Sequence, residues 1–450
     1  MSMRAVITDQ AVAISIRFLE NVISGYDRDD FMVCFWDGTR WGNTRNPSFV
    51  LVLKHPGSLR QMFSAASELS FGDAFVNGDF DLEGDIEAAF ALGDFLLQRE
   101  QSLPERMRIG ALLLKLPAGA RPEAIGGARL LGAVHSKERD RSAISYHYNV
   151  SNDFYALWLD RRMVYSCAYF ETGLEGIDRA QEQKLDYICR KLRLQRGDHL
   201  LDLGCGWGGL MCYAALKFGV QAFGVTLSQP QAELARARFR EAGVTGRCIV
   251  EVCDYRDIDP PQKYDKIVSV GMFEHVGEDL LSEYFRRAWS VLRPGGVFLN
   301  HGIALSPTVK RRGPSFIDKY VFPDGDLVPL GTTIQTAEAC GFEVRDVESL
   351  REHYTLTLRR WVRRLEAKRD EAVQATNDQT YRVWRLYMAG SAHAFRTGRL
   401  NIYQVLLSKP EDGRAHLPLT RDDWYSTSRH LQPAVKNAYQ LSPTGSKESK

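Results

Sequence analysis

After about residue 146 the apolar residues recur in two alternating rhythms. Residues 183–194 carry Leu185, Ile188 and Leu192 at helical spacing, which predicts a helix. Residues 199–203 form a short apolar run that ends in glycines, the pattern of a buried strand. Helices are predicted over 209–218, 229–242 and 279–292, and strands over 222–227, 248–253, 266–272 and 297–301. Apolar strands that alternate with helices predict a parallel sheet covered on both faces, an α/β fold.

The first hundred residues read differently. Ile14, Phe18 and Val22 mark a helix over 11–22. Apolar runs at 31–36 and 49–53, separated by the turn signals Asp37-Gly38 and Asn46-Pro47, predict strands. Residues 59–69 and 85–97 read as helices, so residues 1–100 form a smaller α+β domain. Nothing catalytic is visible there, and the lone His55 reads as an ordinary surface residue. Residues 101–145 read as a linker, with Pro104, Pro117, Pro122 and Gly126-Gly127 and one short helix at 107–116. The eight Lys and Arg residues from Arg106 to Arg141 have two readings, a solvated surface or contact with anionic lipid. Residues 146–410 form the α/β domain. Residues 411–450 form a polar extension, partly disordered because its tail is too poor in apolar residues to order alone.

At 450 residues the chain is long enough for two or three domains. A net charge of +2 supplies no global field for nucleic acid, and none is expected as a partner. No apolar run reaches the length of a membrane span, and residues 1–9 lack the pattern of a signal peptide. The eight cysteines show no CxxC pair or metal-finger spacing, so no metal site and a reducing, cytoplasmic location are expected.

The most informative stretch is Asp202-Leu203-Gly204-Cys205-Gly206-Trp207-Gly208-Gly209, between a strand and a helix. It matches the GxGxxG dinucleotide pattern, but no Asp or Glu follows between Leu203 and Ala232 to hold a ribose hydroxyl. The acid, Asp202, precedes the glycines instead, as is typical of S-adenosylmethionine (AdoMet) methyltransferases. A dinucleotide and a merely tight turn are the competing readings. Leu200 and Leu201 complete the strand. The next strand ends at Thr226, Leu227, Ser228, Gln229, Pro230 and Gln231, whose hydroxyl and amide groups suit ribose and adenine. After the third strand, Asp254, Tyr255 and Arg256 offer an acceptor for the adenine amino group and a ring to pack beside the base. Asp259-Pro260-Pro261 precedes the fourth strand and lacks the aromatic residue of an amino-methylating motif, so it reads as a turn.

A second set of motifs carries a family likeness. In order they are His147-Tyr148-Asn149, Asp153-Phe154-Tyr155, Tyr165-Ser166-Cys167-Ala168-Tyr169-Phe170 and the glycine loop. Residues 271–277 (GMFEHVG), 299–303 (LNHGI), 316–323 (FIDKYVFP) and 352–358 (EHYTLTL) follow. Together they resemble the cyclopropane-fatty-acyl-phospholipid synthases and mycolic acid cyclopropane synthases, over about residues 146–409. The resemblance implies a Rossmann-like class I AdoMet methyltransferase domain. It also implies transfer of the AdoMet methyl to a cis double bond of an unsaturated phospholipid acyl chain, with a bound bicarbonate as the base that allows ring closure. By position it assigns the bicarbonate to Cys167 (backbone amide), Glu274, His301, Ile303 (backbone) and Tyr354, and AdoMet contacts to Tyr165, Ser166 and residues 200–208.

Where relatives often carry a cysteine in a late helix, this chain has Ser391, so a thiol there is no part of its chemistry. The resemblance further suggests a homodimer. A phospholipid substrate implies peripheral contact with the inner face of the cell membrane. Arg351, Arg359, Arg360, Arg363, Arg364, Lys368 and Arg369, around Trp361 and Leu365, are the expected contact or else a solvated helix face. Two other outcomes stay open: a methylene- or methyl-branched product, and a lipid-binding protein without catalysis.

Overall fold

The computed structural model describes residues 3–119, 130–148, 150–258, 263–309 and 315–425, with side chains from residue 10 onward. Asn149, the turn at Asp259-Pro260-Pro261, Pro122 with Gly126-Gly127, and the tail from residue 426 lie outside the described residues.

Two sheets organise the chain. The smaller contains β1 (Phe31–Cys34), β2 (Arg40–Gly42), β3 (Phe49–Leu53) and β4 (Phe80–Gly84), in the order β2-β1-β3-β4. The larger contains β5 (His199–Leu203), β6 (Gln221–Thr226), β7 (Cys248–Val252), β8 (Tyr264–Val270), β9 (Leu292–Leu305), β10 (Glu343–Ser349) and β11 (Leu400–Ser408). Its order is β10-β11-β9-β8-β5-β6-β7. β5 to β9 are parallel, as expected, and β11 and β10 are added antiparallel. Alternate residues of each strand enter opposite cores: Leu200, Val268 and Leu299 on one face, Leu201, Ile267 and Phe298 on the other.

The antiparallel pair was not anticipated, and the reason is physical. β10 is an edge strand with the sequence EVRDVES, so it lacks the apolar run of its buried neighbours. In the amino-terminal unit, the helix expected over 59–69 is two helices, Ser58–Met62 and Glu68–Val76, the second capped by Ser67. The helix Ile86–Gln98 begins where the Asp85 carboxylate accepts from the amides of Glu87 (3.0 Å) and Ala88 (3.4 Å). His55 sits beside Asp79, with Nε2 2.9 Å from a carboxylate oxygen.

The stretch read as a linker carries two helices, Leu103–Lys115 and Lys137–Tyr148. The first buries Ile109 and turns a second apolar face outward: Leu103, Met107 and Leu114 are 72%, 69% and 71% exposed, beside exposed Arg106, Arg108 and Lys115. Among the described residues no helix is long and apolar enough to cross a membrane.

Two late helices, Arg351–Ala367 and Asp378–Arg396, join the amino-terminal unit to the larger sheet. They change the reading of the basic cluster. Trp361 and Leu365 are wholly buried, so this is not an apolar face presented to lipid. Arg359 donates to Glu87 (2.5 and 2.8 Å), and Arg360 donates to the carbonyls of Glu175 and Gly173 (each 2.8 Å). Arg364 donates to the Leu159 carbonyl (2.7 Å) and pairs with Asp178. The guanidiniums hold loops and the amino-terminal unit in place.

Arg382 is the centre of that joint. It donates to the carbonyls of Phe75 (3.2 Å) and Phe80 (3.4 Å) and to the carboxylates of Asp81 (2.9 Å) and Asp378 (2.7 Å). Replacing it by methionine keeps the apolar stem and strands those acceptors. Arg382→Met is expected to lower stability to urea by about 1–3 kcal/mol. A change within about 0.5 kcal/mol, the range of ordinary surface substitutions, would show that these bonds do not hold the two units together.

Candidate active site

The glycine loop lies at the carboxyl end of β5, where open α/β sheets bind ligands. The amides of Gly204 and Cys205 both donate to the Val225 carbonyl at the end of β6 (3.0 and 2.9 Å), which pulls the loop flat against the sheet. Gly204 has φ +82°, and a Cβ there would stand 2.6 Å from the Met272 Cβ. Gly208, at φ +74°, is packed against Phe239 in the same way.

The loop floors a cavity. Of the residues expected to meet a cosubstrate, Tyr165, Ser166, Asp202, Gly204, Cys205, Gly206, Trp207, Thr226, Leu227, Gln231, Asp254, Tyr255 and Arg256 line it. Seven others stand back from it. Leu200, Leu201 and Leu203 are strand residues packed in the two cores. Gly208 backs the loop, Ser228 caps the next helix, and the Gln229 side chain donates to Glu233 on that helix (2.7 Å). Pro230 accepts from Asn152 through its carbonyl (3.5 Å). Thr226 donates to Gln231 (2.8 Å), and Trp207 donates to Asn152 (2.8 Å). Arg256 grips Asp254 (2.7 and 2.8 Å) and Asp140 (2.8 Å), so the Asp254 carboxylate is held below its usual range by that cation although burial pushes it up.

Sequence reasoning missed several lining residues. Asp140 and Ile144, inside the stretch read as a linker, and Tyr148, just beyond it, come from the helix Lys137–Tyr148. Lys184 is the most informative omission. It is 1% exposed, lines the cavity and donates to the Ser166 hydroxyl (2.8 Å). Burial brings its ammonium down to about 8, opposed by Asp160, Cys167 and Asp202. Asp202 is pushed up to about 7 by burial, opposed by the Lys184 charge. The signal was available: Lys184 stands four residues before Ile188, on the apolar face of its helix.

A second group adjoins this cavity. Gly271, Met272 and His275 line it, and Glu274 lies between them in sequence. Glu274 accepts from the Ile303 amide (2.8 Å) on Oε1, while its buried Oε2 has no protein partner. The Ile303 amide is thus already taken up in holding Glu274. His301, two residues earlier on β9, is wholly buried and also has an unpartnered ring nitrogen, Nε2. Burial pushes the Glu274 carboxyl up to about 7 and the His301 imidazole well below its usual value. Tyr354 is buried within electrostatic reach of Cys167 and Glu274. The Cys167 thiol points to the carbonyls of Ala168 (3.3 Å) and Leu350 (3.7 Å), and burial pushes its pKa up, which suits a packed residue rather than a nucleophile. Ser391 is likewise buried, on the helix that carries Tyr387.

A family model described as mycolic acid cyclopropane synthetase matches residues 135–405. The chain belongs to this family. A second model, for a domain of unknown function, matches residues 18–93. The family's AdoMet-dependent methyltransferases include relatives of this chain that are named for different activities. A probable fatty acid methyltransferase of Pseudomonas putida is 41% identical over 400 residues, 87% of this chain and 95% of its own length. The cyclopropane-fatty-acyl-phospholipid synthase of Escherichia coli K12 is 37% identical over 285 residues, 63% of this chain and 72% of its own. The mycolic acid cyclopropane synthase CmaA1, solved with SAH and CTAB, superposes with a TM-score of 0.56 at 33% identity, over 59% of this chain and 97% of its own. The α/β unit is thus a class I AdoMet methyltransferase fold.

The raised Glu274 carboxyl makes stability depend on pH. Between pH 4.5, its ordinary value, and about 7, the folded protein keeps a proton that the unfolded chain releases. Stability from this group is complete below pH 4.5 and is lost as the pH rises through about 7. The wild type should therefore lose about 3 kcal/mol relative to Glu274→Gln across that window, measured by urea unfolding. A pH-independent difference would show that Glu274 is ionised and solvated throughout.

Proposed function

We propose that this protein is a cyclopropane-fatty-acyl-phospholipid synthase. It takes the methyl of AdoMet to the cis double bond of an unsaturated phospholipid acyl chain and closes a ring. The observation that carries the reading is the pair of buried, unpartnered polar atoms, Glu274 Oε2 and His301 Nε2, next to the glycine-loop cavity. Buried polar atoms are nearly always paired, so two orphans in one neighbourhood favour a polar guest.

The alkene π electrons attack the AdoMet methyl, and the sulfonium leaves as a thioether. The chain is left as a carbocation, which must lose a proton from the new methyl for the ring to close. Bicarbonate, when bound, supplies the base for that proton. Glu274, His301 and Tyr354 are the side chains that would hold it: a carboxylate, an imidazole and a phenol offer it both acceptors and donors. The buried rings of Tyr155 and Trp361 and the half-buried rings of Tyr148 and Tyr165 exclude water, which would otherwise trap the cation. Lys184, whose buried ammonium lines the cavity, would hold the AdoMet carboxylate. The exposed apolar face of the helix Leu103–Lys115, beside Arg106, Arg108 and Lys115, supports contact with an anionic lipid surface.

A second reading keeps fold, cosubstrate and lipid but changes the product. If the cation loses a proton from the chain instead, a methyl-branched olefin results; if a hydride shift first moves the charge to the methyl-bearing carbon, loss of a methyl proton leaves a methylene branch. The near full-length similarity to a probable fatty acid methyltransferase favours it. Incubation with AdoMet and vesicles of mono-unsaturated phospholipid, followed by gas chromatography–mass spectrometry of the acyl chains, decides between them. A ring-bearing chain one CH₂ heavier is expected. A branched chain would overturn the named product, and an unchanged chain would overturn the substrate class.

Lys184→Met is expected to weaken AdoMet binding about 10–100-fold in calorimetry, the loss of one charge-assisted hydrogen bond. A dissociation constant within about threefold of wild type would show that the ammonium serves the fold through Ser166 and not the cosubstrate.

A further inference from the structure

Gln404 has no place in the chemistry described so far, yet it touches one of its central groups. It lies on β11, paired in register with His301 on β9, and both side chains are wholly buried. The Gln404 Nε2 is 3.1 Å from His301 Nδ1. With the amide nitrogen turned to the ring, Gln404 donates and Nδ1 accepts, which in the neutral ring puts the proton on Nε2; the Gln404 Oε1 is left buried without a protein partner. That Nε2 is the atom without a protein partner.

We propose that Gln404 is a positioning residue: by donating to Nδ1 it holds His301 as the Nε2–H tautomer, so that the ring offers a hydrogen-bond donor to an oxyanion bound against Glu274. The inference rests on the reading that Glu274 and His301 hold the base. Its chemical sense lies in complementarity. An ionised Glu274 can only accept, and its Oε1 is already satisfied by the Ile303 amide. A guest that donates to Oε2 needs donors for its other oxygens. The opposite tautomer would present a second lone pair and repel it. The charged groups bearing on the ring are Lys184, Lys191 and His353, of which Lys191 is held by Asp346 (3.2 Å) and Glu348 (2.5 Å). Burial above all, and then the Lys184 and Lys191 ammoniums, disfavours a doubly protonated imidazole, while burial pushes His353 itself towards the neutral form, so tautomer choice falls to Gln404. A carboxylate at 404 would accept from Nδ1–H and invert the ring.

The test uses full-length protein labelled with ¹⁵N-histidine. Long-range ¹H–¹⁵N correlation reports the ring tautomer, and the His301 signal is the one lost in His301→Asn. The wild type should carry the proton on Nε2, and Gln404→Glu should move it to Nδ1. Gln404→Glu and the volume-matched Gln404→Met should lower kcat about 10–100-fold while KM for AdoMet stays within about twofold. Gln404→Met keeps the test decisive if the carboxylate variant fails to fold. A wild-type ring protonated on Nδ1, or a folded Gln404→Met with wild-type kcat, would overturn the inference and leave the base pocket standing. An inverted tautomer with undiminished turnover would overturn the base pocket itself, and this inference with it.

Discussion

A carboxylate and an imidazole are kept from water with one atom each unpaired, and the architecture around the site is organised to tolerate that. Leaving a polar atom buried without a partner costs about 1–3 kcal/mol, so such an arrangement survives only where the surroundings over-determine it. Here Glu274 is pinned by the Ile303 amide, and His301 by Gln404. Both anchors are on interior strands of the seven-stranded sheet, β9 and β11, where neither can relax without breaking ladder bonds. The aromatic residues packed around the pocket remove the alternative of hydration.

Buried ion pairs and hydrogen bonds also tie the amino-terminal unit to the methyltransferase fold. The helix that carries Tyr354 is anchored at its other face by Arg359 on Glu87, and its neighbour is anchored by Arg382 and Arg385 on the β4 region. His393 and Arg399 meet Asp94 at 2.6 and 2.7 Å. Within the run of cations read as an interfacial contact, Arg359, Arg360 and Arg364 are internal ties. The strongly exposed apolar positions of the Leu103–Lys115 helix lie in the segment between the two units.

Much of this was legible because buried parallel strands and glycine loops write themselves plainly. The five parallel strands, the loop at 204–208 and β1 and β3 of the smaller unit follow from periodicity and turn residues, whereas the short β2 and β4 were not anticipated. The motifs around Glu274, His301 and Tyr354 carried the family. Three kinds of feature were not legible. An edge strand such as β10 has no apolar run. The helix Lys137–Tyr148 is mostly polar, and its cavity-lining Asp140, Ile144 and Tyr148 owe their role to tertiary placement. Basic residues look alike in sequence whether they face lipid or a buried carboxylate, and only the fold shows that Arg359 and Arg382 do the latter. Lys184 and Gln404 lie between these cases. A charged or amide side chain on an apolar face is a visible anomaly, but its partner is not.

On the proposed reading, Glu274, His301 and Tyr354 would hold a small oxyanion that serves as the base. The most direct measurement is turnover on unsaturated vesicles in carbon dioxide-free buffer, with bicarbonate then added back. The account predicts that turnover falls on depletion and returns in a saturable way on addition, and that Glu274→Gln abolishes the response. Full turnover without bicarbonate would contradict it and assign the proton to a protein side chain.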